Sequence, residues 1–229
     1  MTYDLYIGDP SFSSWSLRGW LAIKQSGLSF EELTVNIGGD EWETVKRQSG
    51  EIMPAGKVPI LRMDQKVMSE SQAICEYLDE AIPTPALMPR DADTRYEVRR
   101  ICAWFDDKFH AEVTSKLLYE RVNKKMMKAG YPDSKNVKAG AKAIKFHLGY
   151  MTWLLDHRRW LAGDMMTLAD FAAAAHLSSL DYISDVDWNS CPEVKDWYAK
   201  IKSRPAFRSI LADNVPGFPP PHHYANLDF

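Results

Sequence analysis

Ser69, Glu70 and Ser71 cluster in SESQAICEYL, residues 69–78, where a short strand hands over to a helix. A helix start offers backbone N–H groups without intrahelical partners and the positive end of the helix dipole. A small anionic ligand fits such a place, so Glu70 and Ser71 are candidate binding residues; helix capping accounts for them equally well. Upstream, GKVPIL at residues 56–61 puts a proline where a strand begins. Proline is tolerated there at a sheet edge or in a cis bond, which marks Val58-Pro59 as a structural device. In LAGDMMTLADFAAA, residues 161–174, Thr167 and Asp170 have the spacing of a capping box and are read as structural. Adjacent His222 and His223 lack an acidic or cysteine partner, so no metal site is expected. Gly38-Gly39 is a turn and not a phosphate loop, because neither GxGxxG nor GKS/T follows.

These residues must be held by two kinds of element. YDLYI at 3–7 and the alternating run 30–35 read as strands, with a helix from about Trp15 to Ser26 that stops at Gly27. Asp40 and Glu43 suit the start of a second helix carrying Trp42 near an exposed rim. Residues 58–63 and 66–68 form a hairpin through Asp64-Gln65, and a helix from Ser71 to Glu80 follows. The order is βαβα, then ββα. Beyond the proline-containing stretch 82–89 everything reads as helix. Val98, Ile101, Phe105, Phe109, Val113 and Leu117 recur every three or four residues, the stripe of one helix about 35 residues long. Tryptophans 15, 20, 104, 153, 160 and 197 are expected to be packing anchors, and His110 and His176 to sit at the core edge.

The 229 residues are 45% hydrophobic, enough for a sizeable core in one or two domains. A net charge of −3 gives no global field for nucleic acid or anionic membrane. No apolar run reaches the ~18 to 20 residues of a membrane span, and MTYDLYIGDP lacks the features of a signal peptide. Cys75, Cys102 and Cys191 are scattered without a CxxC, which suits a reducing cytoplasm.

VP, ES and TLAD in this order resemble the glutathione transferase superfamily over residues 1–213. The resemblance implies an α/β thioredoxin-like N-terminal domain plus an all-α C-terminal domain, the glutathione transferase fold, with Val58-Pro59 cis and usually a homodimer. The expected divisions are residues 1–81, a linker at 82–92, the helical domain at 93–213 and an extended tail at 214–229. In that family the residue before the proline, here Val58, pairs its backbone with the cysteinyl part of glutathione. The Glu-Ser pair, here Glu70 and Ser71, holds the γ-glutamyl end. A Ser, Tyr or Cys at the start of the first helix activates the thiol. The loop here reads SFSSWSLR, which makes Ser13 or Ser14 the candidate. A thiol of pKa about 8.5 must be biased toward its anion, and one hydroxyl donor with a helix start can do that. Serine is also a good cap, so loop and cap serines kept by the fold remain the alternative.

Two features exceed glutathione chemistry. Lys124, Lys125 and Lys128 end one long helix, and Lys135, Lys138, Lys142 and Lys145 share one face of the next. Lysines at a helix start oppose its dipole, so capping does not explain them. They read as a solvated tip or as a docking patch for an acidic protein; the aromatic interleaving of nucleic-acid platforms is absent. The second feature is the tail PGFPPPHHYANLDF, ending in Leu227, Asp228 and Phe229. It reads as a strap on its own domain, as a recognition segment, or as both. On a transferase-like body this ending resembles the division-associated branch of the superfamily in alphaproteobacteria.

That resemblance implies binding to the tubulin-like polymer FtsZ, altered filament curvature and bundling, and promotion of constriction and septal wall synthesis. The polymer contact is then expected near Lys116, Glu120, Lys124, Lys135, Lys138 and Lys142, with Leu227, Asp228 and Phe229 as a second element for FtsZ or further division proteins. The protein is expected in the cytoplasm at the division site, with no membrane insertion. No cofactor is required, although the pocket residues admit glutathione. The alternative is a glutathione S-transferase conjugating glutathione to small electrophiles. Deleting residues 222–229 is expected to leave fold and dimer intact but to impair division in cells.

Overall fold

The computed structural model describes residues 2–35, 42, 43, 57–82 and 86–227. It divides into two compact units, Met1–Ala86 and Leu87–Phe229. The division falls inside the stretch expected as a linker. Leu87 and Met88 are buried, and the Leu87 carbonyl accepts the Leu168 N–H at 3.1 Å, so the second half of that stretch belongs to the helical unit.

The first unit is a four-stranded mixed sheet in the order β2-β1-β3-β4, with β1 Tyr3–Ile7, β2 Glu31–Thr34, β3 Ile60–Met63 and β4 Lys66–Ser69. β2 runs parallel to β1, which requires a crossover, and α1, Ser14–Ser26, supplies it. β3 and β4 join antiparallel through Asp64-Gln65, with Met63 opposite Lys66. Alternation along β1 splits its side chains between two faces. Leu5 and Ile7 are fully buried, as are Leu17, Ile23 and Ile74 of the helices. Tyr6 points into a second cluster with Val35, Trp42, Val58 and Ile60. Trp42, expected at an exposed rim, is 2% exposed because that face of the sheet needs an apolar cover. The expected turn at Gly38-Gly39 and the cap at Asp40 lie outside the described residues. α2, Ser71–Ala81, follows β4 directly. This is the thioredoxin-like arrangement.

In the second unit, α3 runs without interruption over 92–126. Its buried stripe is the one read from the sequence, but two stretches, Phe105–Thr114 and Tyr119–Asn123, have wide i→i+5 turns. The spacing explains them. An α-helix turns about 100° per residue, so apolar residues four apart drift about 40° per step, and wider turns cancel that drift. α4, Ser134–His157, returns antiparallel, and α5, Leu168–Tyr182, is buried along its whole length. Thr167 and Asp170 form the expected capping box at the start of α5. α6, Pro192–Lys202, and α7, Pro205–Arg208, finish the unit. His176 lies in the core, 1% exposed, its Nδ1 2.9 Å from Thr114 Oγ1. Trp153, expected as a packing anchor, is 54% exposed on α4.

Glu97 of α3 joins three elements. It accepts two hydrogen bonds from Arg100, both at 2.8 Å, and one from Arg158 at 2.7 Å. The Arg100 bonds, with help from Arg158, hold its carboxyl at about 2 against the usual 4.5. A depressed carboxylate stabilises the fold above its unfolded pKa and loses that contribution as pH falls through the folded one. Urea midpoints are therefore expected to fall between pH 4.5 and pH 2, and Arg158→Met to make that fall shallower.

Candidate functional site

Three separated sequence segments converge on the first two turns of α1. A Cβ added to Gly8 would lie 3.5 Å from Val58 Cγ2 and 3.7 Å from Ser13 Cβ, so the loop after β1 touches both. The Val58-Pro59 bond is cis, and a Cβ on Gly19 would come within 3.1 Å of Pro59 Cγ, so α1 lies directly on the proline ring. Arg18, 2% exposed, donates from Nε at 3.2 Å and from Nη2 at 2.5 Å to Ser71 Oγ. That ties α1 to the start of α2.

Of the two candidate thiol-activating serines, Ser13 has its hydroxyl engaged and Ser14 is nearly buried. Ser13 caps α1: its Oγ accepts the Ser16 N–H at 3.4 Å and donates to Ser16 Oγ at 2.9 Å. Ser16 Oγ in turn accepts the Gly8 N–H at 3.1 Å. Ser14 is 4% exposed in the first turn. A thiolate at this point would have to draw the Ser13 proton away from Ser16.

The other half of the site is better formed. Ser71 accepts both Arg18 bonds, which leaves its own hydroxyl proton directed elsewhere. Glu70 is exposed and has φ 68°, ψ 109°, a left-handed conformation that favours glycine. Its side chain makes no capping bond to α2, so plain capping does not explain the residue. Backbone strain of this kind costs about 1–3 kcal/mol and points to a functional constraint. Val58 precedes the ladder, where pairing starts at Ile60 opposite Ser69, so β4 does not engage it. An exposed carboxylate, an oriented hydroxyl and an unladdered strand end suit a small peptide-like ligand with an ammonium or carboxylate group. We expect Glu70→Gly to leave stability unchanged or raise it by about 1 kcal/mol in urea unfolding, while lowering any affinity for glutathione in calorimetry.

The residue that sequence reasoning missed is Arg18. Its signal was present: a charge on the buried side of an otherwise apolar helix, in WSLRGWLAI, asks for a buried acceptor.

At the far end of the α3–α4 hairpin the lysines divide into two groups. Lys124 is half-buried and bound to Glu120 at 2.6 Å; Lys125 donates to the Gly217 carbonyl at 3.0 Å and lies over the Phe218 ring. Lys135, Lys138, Lys142 and Lys145 are exposed along α4, and Lys116 is partly exposed on α3. Glu120, expected at a partner-facing groove, is 2% exposed. It accepts bonds from Lys124, from the Asp133 N–H at 2.7 Å and from Asn136 Nδ2 at 2.9 Å. These hold its carboxyl at about 2, Lys124 first among them, and make Glu120 the clamp of the hairpin turn and not a partner contact.

Residues 10–86 match the family model described as glutathione S-transferase, N-terminal domain, and residues 120–213 match glutathione S-transferase, C-terminal domain. The chain belongs to the glutathione S-transferase family. FtsZ-localized protein A of Caulobacter vibrioides is 43% identical to it over 213 residues, 91% of each chain. The solved structure of FzlA from C. crescentus superposes with a TM-score of 0.91 at 40% identity, covering all of both chains. A glutathione S-transferase from Rhodospirillum rubrum superposes with a TM-score of 0.92 at 41% identity, covering 99% of this chain and 100% of its own.

The tail of this glutathione S-transferase relative is a strap. Tyr182 donates its hydroxyl to the Phe218 carbonyl at 2.9 Å and accepts the Val215 N–H at 2.8 Å. Tyr224 is fully buried, its hydroxyl 2.9 Å from Ser178 Oγ and its ring edge-on to Tyr182. His223 Nε2 lies 2.8 Å from Asp181 Oδ1, which also accepts from Trp188 Nε1 at 2.8 Å. Lys202, fully buried, reaches the His223 carbonyl at 3.4 Å, and burial draws its amine down to about 8. Against the expectation that residues 222–229 are dispensable for folding, Tyr224 fills the core and His223 covers a buried acid, so loss of these two residues is expected to destabilise the unit. Leu227 is partly exposed, and Asp228 and Phe229 lie outside the described residues. Among the described residues no helix is long and apolar enough to cross a membrane.

Proposed function

We propose that this chain is a cytoplasmic division protein that binds FtsZ filaments through a transferase fold and does not depend on glutathione. The observation that carries the reading is its 43% identity, across 91% of both chains, to a protein named for FtsZ localisation. The exposed lysine row on α4 supports it, since helix capping does not account for lysines at a helix start and docking of an acidic partner does. Lys116, Lys124, Lys135, Lys138 and Lys142 meet the polymer, and the chain end at Leu227, Asp228 and Phe229 offers a second contact for FtsZ or a further division protein. As a homodimer it carries two filament sites, and paired sites bundle and bend filaments through avidity. Such bundling at the division site promotes constriction and septal wall synthesis. The test is co-sedimentation with FtsZ polymerised by GTP, across a range of salt, with and without glutathione. Salt-sensitive pelleting indifferent to glutathione is expected; no pelleting at any salt would sink the proposal.

A second reading keeps one specific observation. The strained Glu70 beside an Arg18-oriented Ser71 is a formed half-site, and it favours retained glutathione binding. Calorimetric binding of glutathione together with turnover of an electrophile, lost in Ser13→Ala, would favour the conjugating enzyme.

A further inference from the structure

The turn between α3 and α4 exposes apolar side chains inside a basic surround. Met126 is 53% exposed, Met127 66% and Tyr131 94%. Residues 116–145 hold nine Lys and Arg against two Asp and Glu, in a chain of net charge −3. One of those two acids, Glu120, is buried within the turn. Among the described residues Lys128, Lys135, Lys138 and Lys142 have no acidic partner.

The turn is built, not loose. Glu120 clamps it from inside, and the last turn of α3 closes with Ala129 N–H to Lys124 O at 2.8 Å and Lys128 N–H to Lys125 O at 3.2 Å. Lys128 occupies the left-handed position of this helix ending, φ 51°, where glycine is the usual and less strained residue. A lysine there costs local stability, by about 1 kcal/mol, and adds a cation to the rim of the apolar cluster.

We infer that Met126, Met127 and Tyr131 are the apolar anchor of a docking surface whose partner is an acidic protein segment carrying apolar side chains of its own. The inference rests on the proposed polymer-binding reading and adds the chemistry of the contact. Lysines give long-range attraction and speed encounter, but a solvated ammonium contributes little once docked. Tight contact comes from a few desolvated side chains, with tyrosine enriched among them and methionine suited to adaptable surfaces. Two other occupants fit less well. A second copy of the same face would set like charges against each other. An anionic lipid surface would meet the lysine row, about 15 Å long from Lys135 to Lys145, but two methionines and one tyrosine lack the Trp, Phe and Leu face of a membrane-surface helix. An extended acidic segment reaches both the row and the tip.

The test uses the full-length protein and two synthetic peptides of equal length and charge, one of Glu with interspersed Leu and Phe, the other of Glu with Ser. Fluorescence anisotropy is expected to show wild type preferring the first about ten-fold, an energy of about 1.4 kcal/mol. The variant M126S/M127S/Y131S abolishes that preference and keeps the salt dependence. K135Q/K138Q/K142Q weakens both peptides and flattens the salt dependence. Thermal unfolding checks that each variant folds, and Lys128→Gly serves as a variant with equal or higher stability and weaker binding. Equal binding of the two peptides, failure to bind either, a preference that survives the serine variant, or tighter binding to anionic phosphatidylglycerol vesicles would overturn the inference. FtsZ pelleting by the same proteins separates the two ideas. If wild type does not pellet yet prefers the apolar acidic peptide, the polymer reading fails and the surface belongs to another acidic partner. If wild type pellets and the serine variant pellets equally, the polymer reading stands and the anchor is wrong.

Discussion

A chain truncated after Pro221 loses about 3–5 kcal/mol of stability in urea unfolding, the cost of deleting a buried aromatic side chain. Tyr224 is 0% exposed and its ring packs 5.0 Å from that of Tyr182, so no surface side chain can replace it. The same cut removes the His223 bond to Asp181 and the His223 carbonyl that receives Lys202. Asp181 and Lys202, both at 0% side-chain exposure and 3.9 Å apart, then stay buried without those partners. Domain stability is about 5–15 kcal/mol, so a loss of this size leaves a protein that aggregates or is degraded in cells. A shorter truncation that lacks only Asp228 and Phe229 keeps Tyr224 and His223 and serves as the comparison. A division defect in that shorter truncation, with wild-type stability, would identify the chain end as a contact. A defect confined to the longer one would trace to unfolding. A wild-type midpoint after the longer cut would show that the strap contributes nothing.

Asp170→Ala is expected to be at least as damaging. Its Oδ1 accepts from the Leu161 N–H at 3.1 Å and from Trp197 Nε1 at 2.8 Å, and its Oδ2 accepts from the Thr167 N–H at 2.8 Å. All three donors are buried, and each buried donor left without an acceptor costs about 1–3 kcal/mol. The expected loss is therefore above about 3 kcal/mol, read as the shift in urea midpoint or as failure to accumulate folded protein. Burial pushes this carboxyl up, against the pull of its hydrogen bonds, so the ionised form is held at a cost. Asp170→Asn keeps one acceptor oxygen without that charge and should lose clearly less than alanine. Equal losses for Asn and Ala would mean that the second carboxylate oxygen, and not the count of acceptors, holds α5 in place.

Local rules account for much of the fold. The stop of α1 at Gly27, the Asp64-Gln65 hairpin, the Thr167–Asp170 box and the apolar stripe of α3 each follow from a few neighbouring residues, and all stand in the structure. The cis form of the Val58-Pro59 bond came through resemblance carried by VP, ES and TLAD, whereas the two-unit plan followed from strands before the proline-containing stretch and helices after it. The lysine row was legible because a helix repeats every 3.6 residues, so spacings of three and four fix a shared face.

What the sequence by itself determined is therefore local: where elements begin and end, which side of each is apolar, and where charge accumulates. Tertiary structure alone decided which polar groups are already engaged. Ser13 resembles a catalytic hydroxyl until Ser16 and Gly8 fold over it, and Glu120 resembles a surface acid until α4 returns and places Asp133 and Asn136 on it. Arg18 gains meaning from Ser71, fifty-three positions away, and the tail from its contacts with Ser178 of α5 and Lys202 of α6. The physical reason is the same in each case. A polar side chain has a fixed number of hydrogen bonds to give or receive, and contacts between distant segments decide whether any are left for a partner.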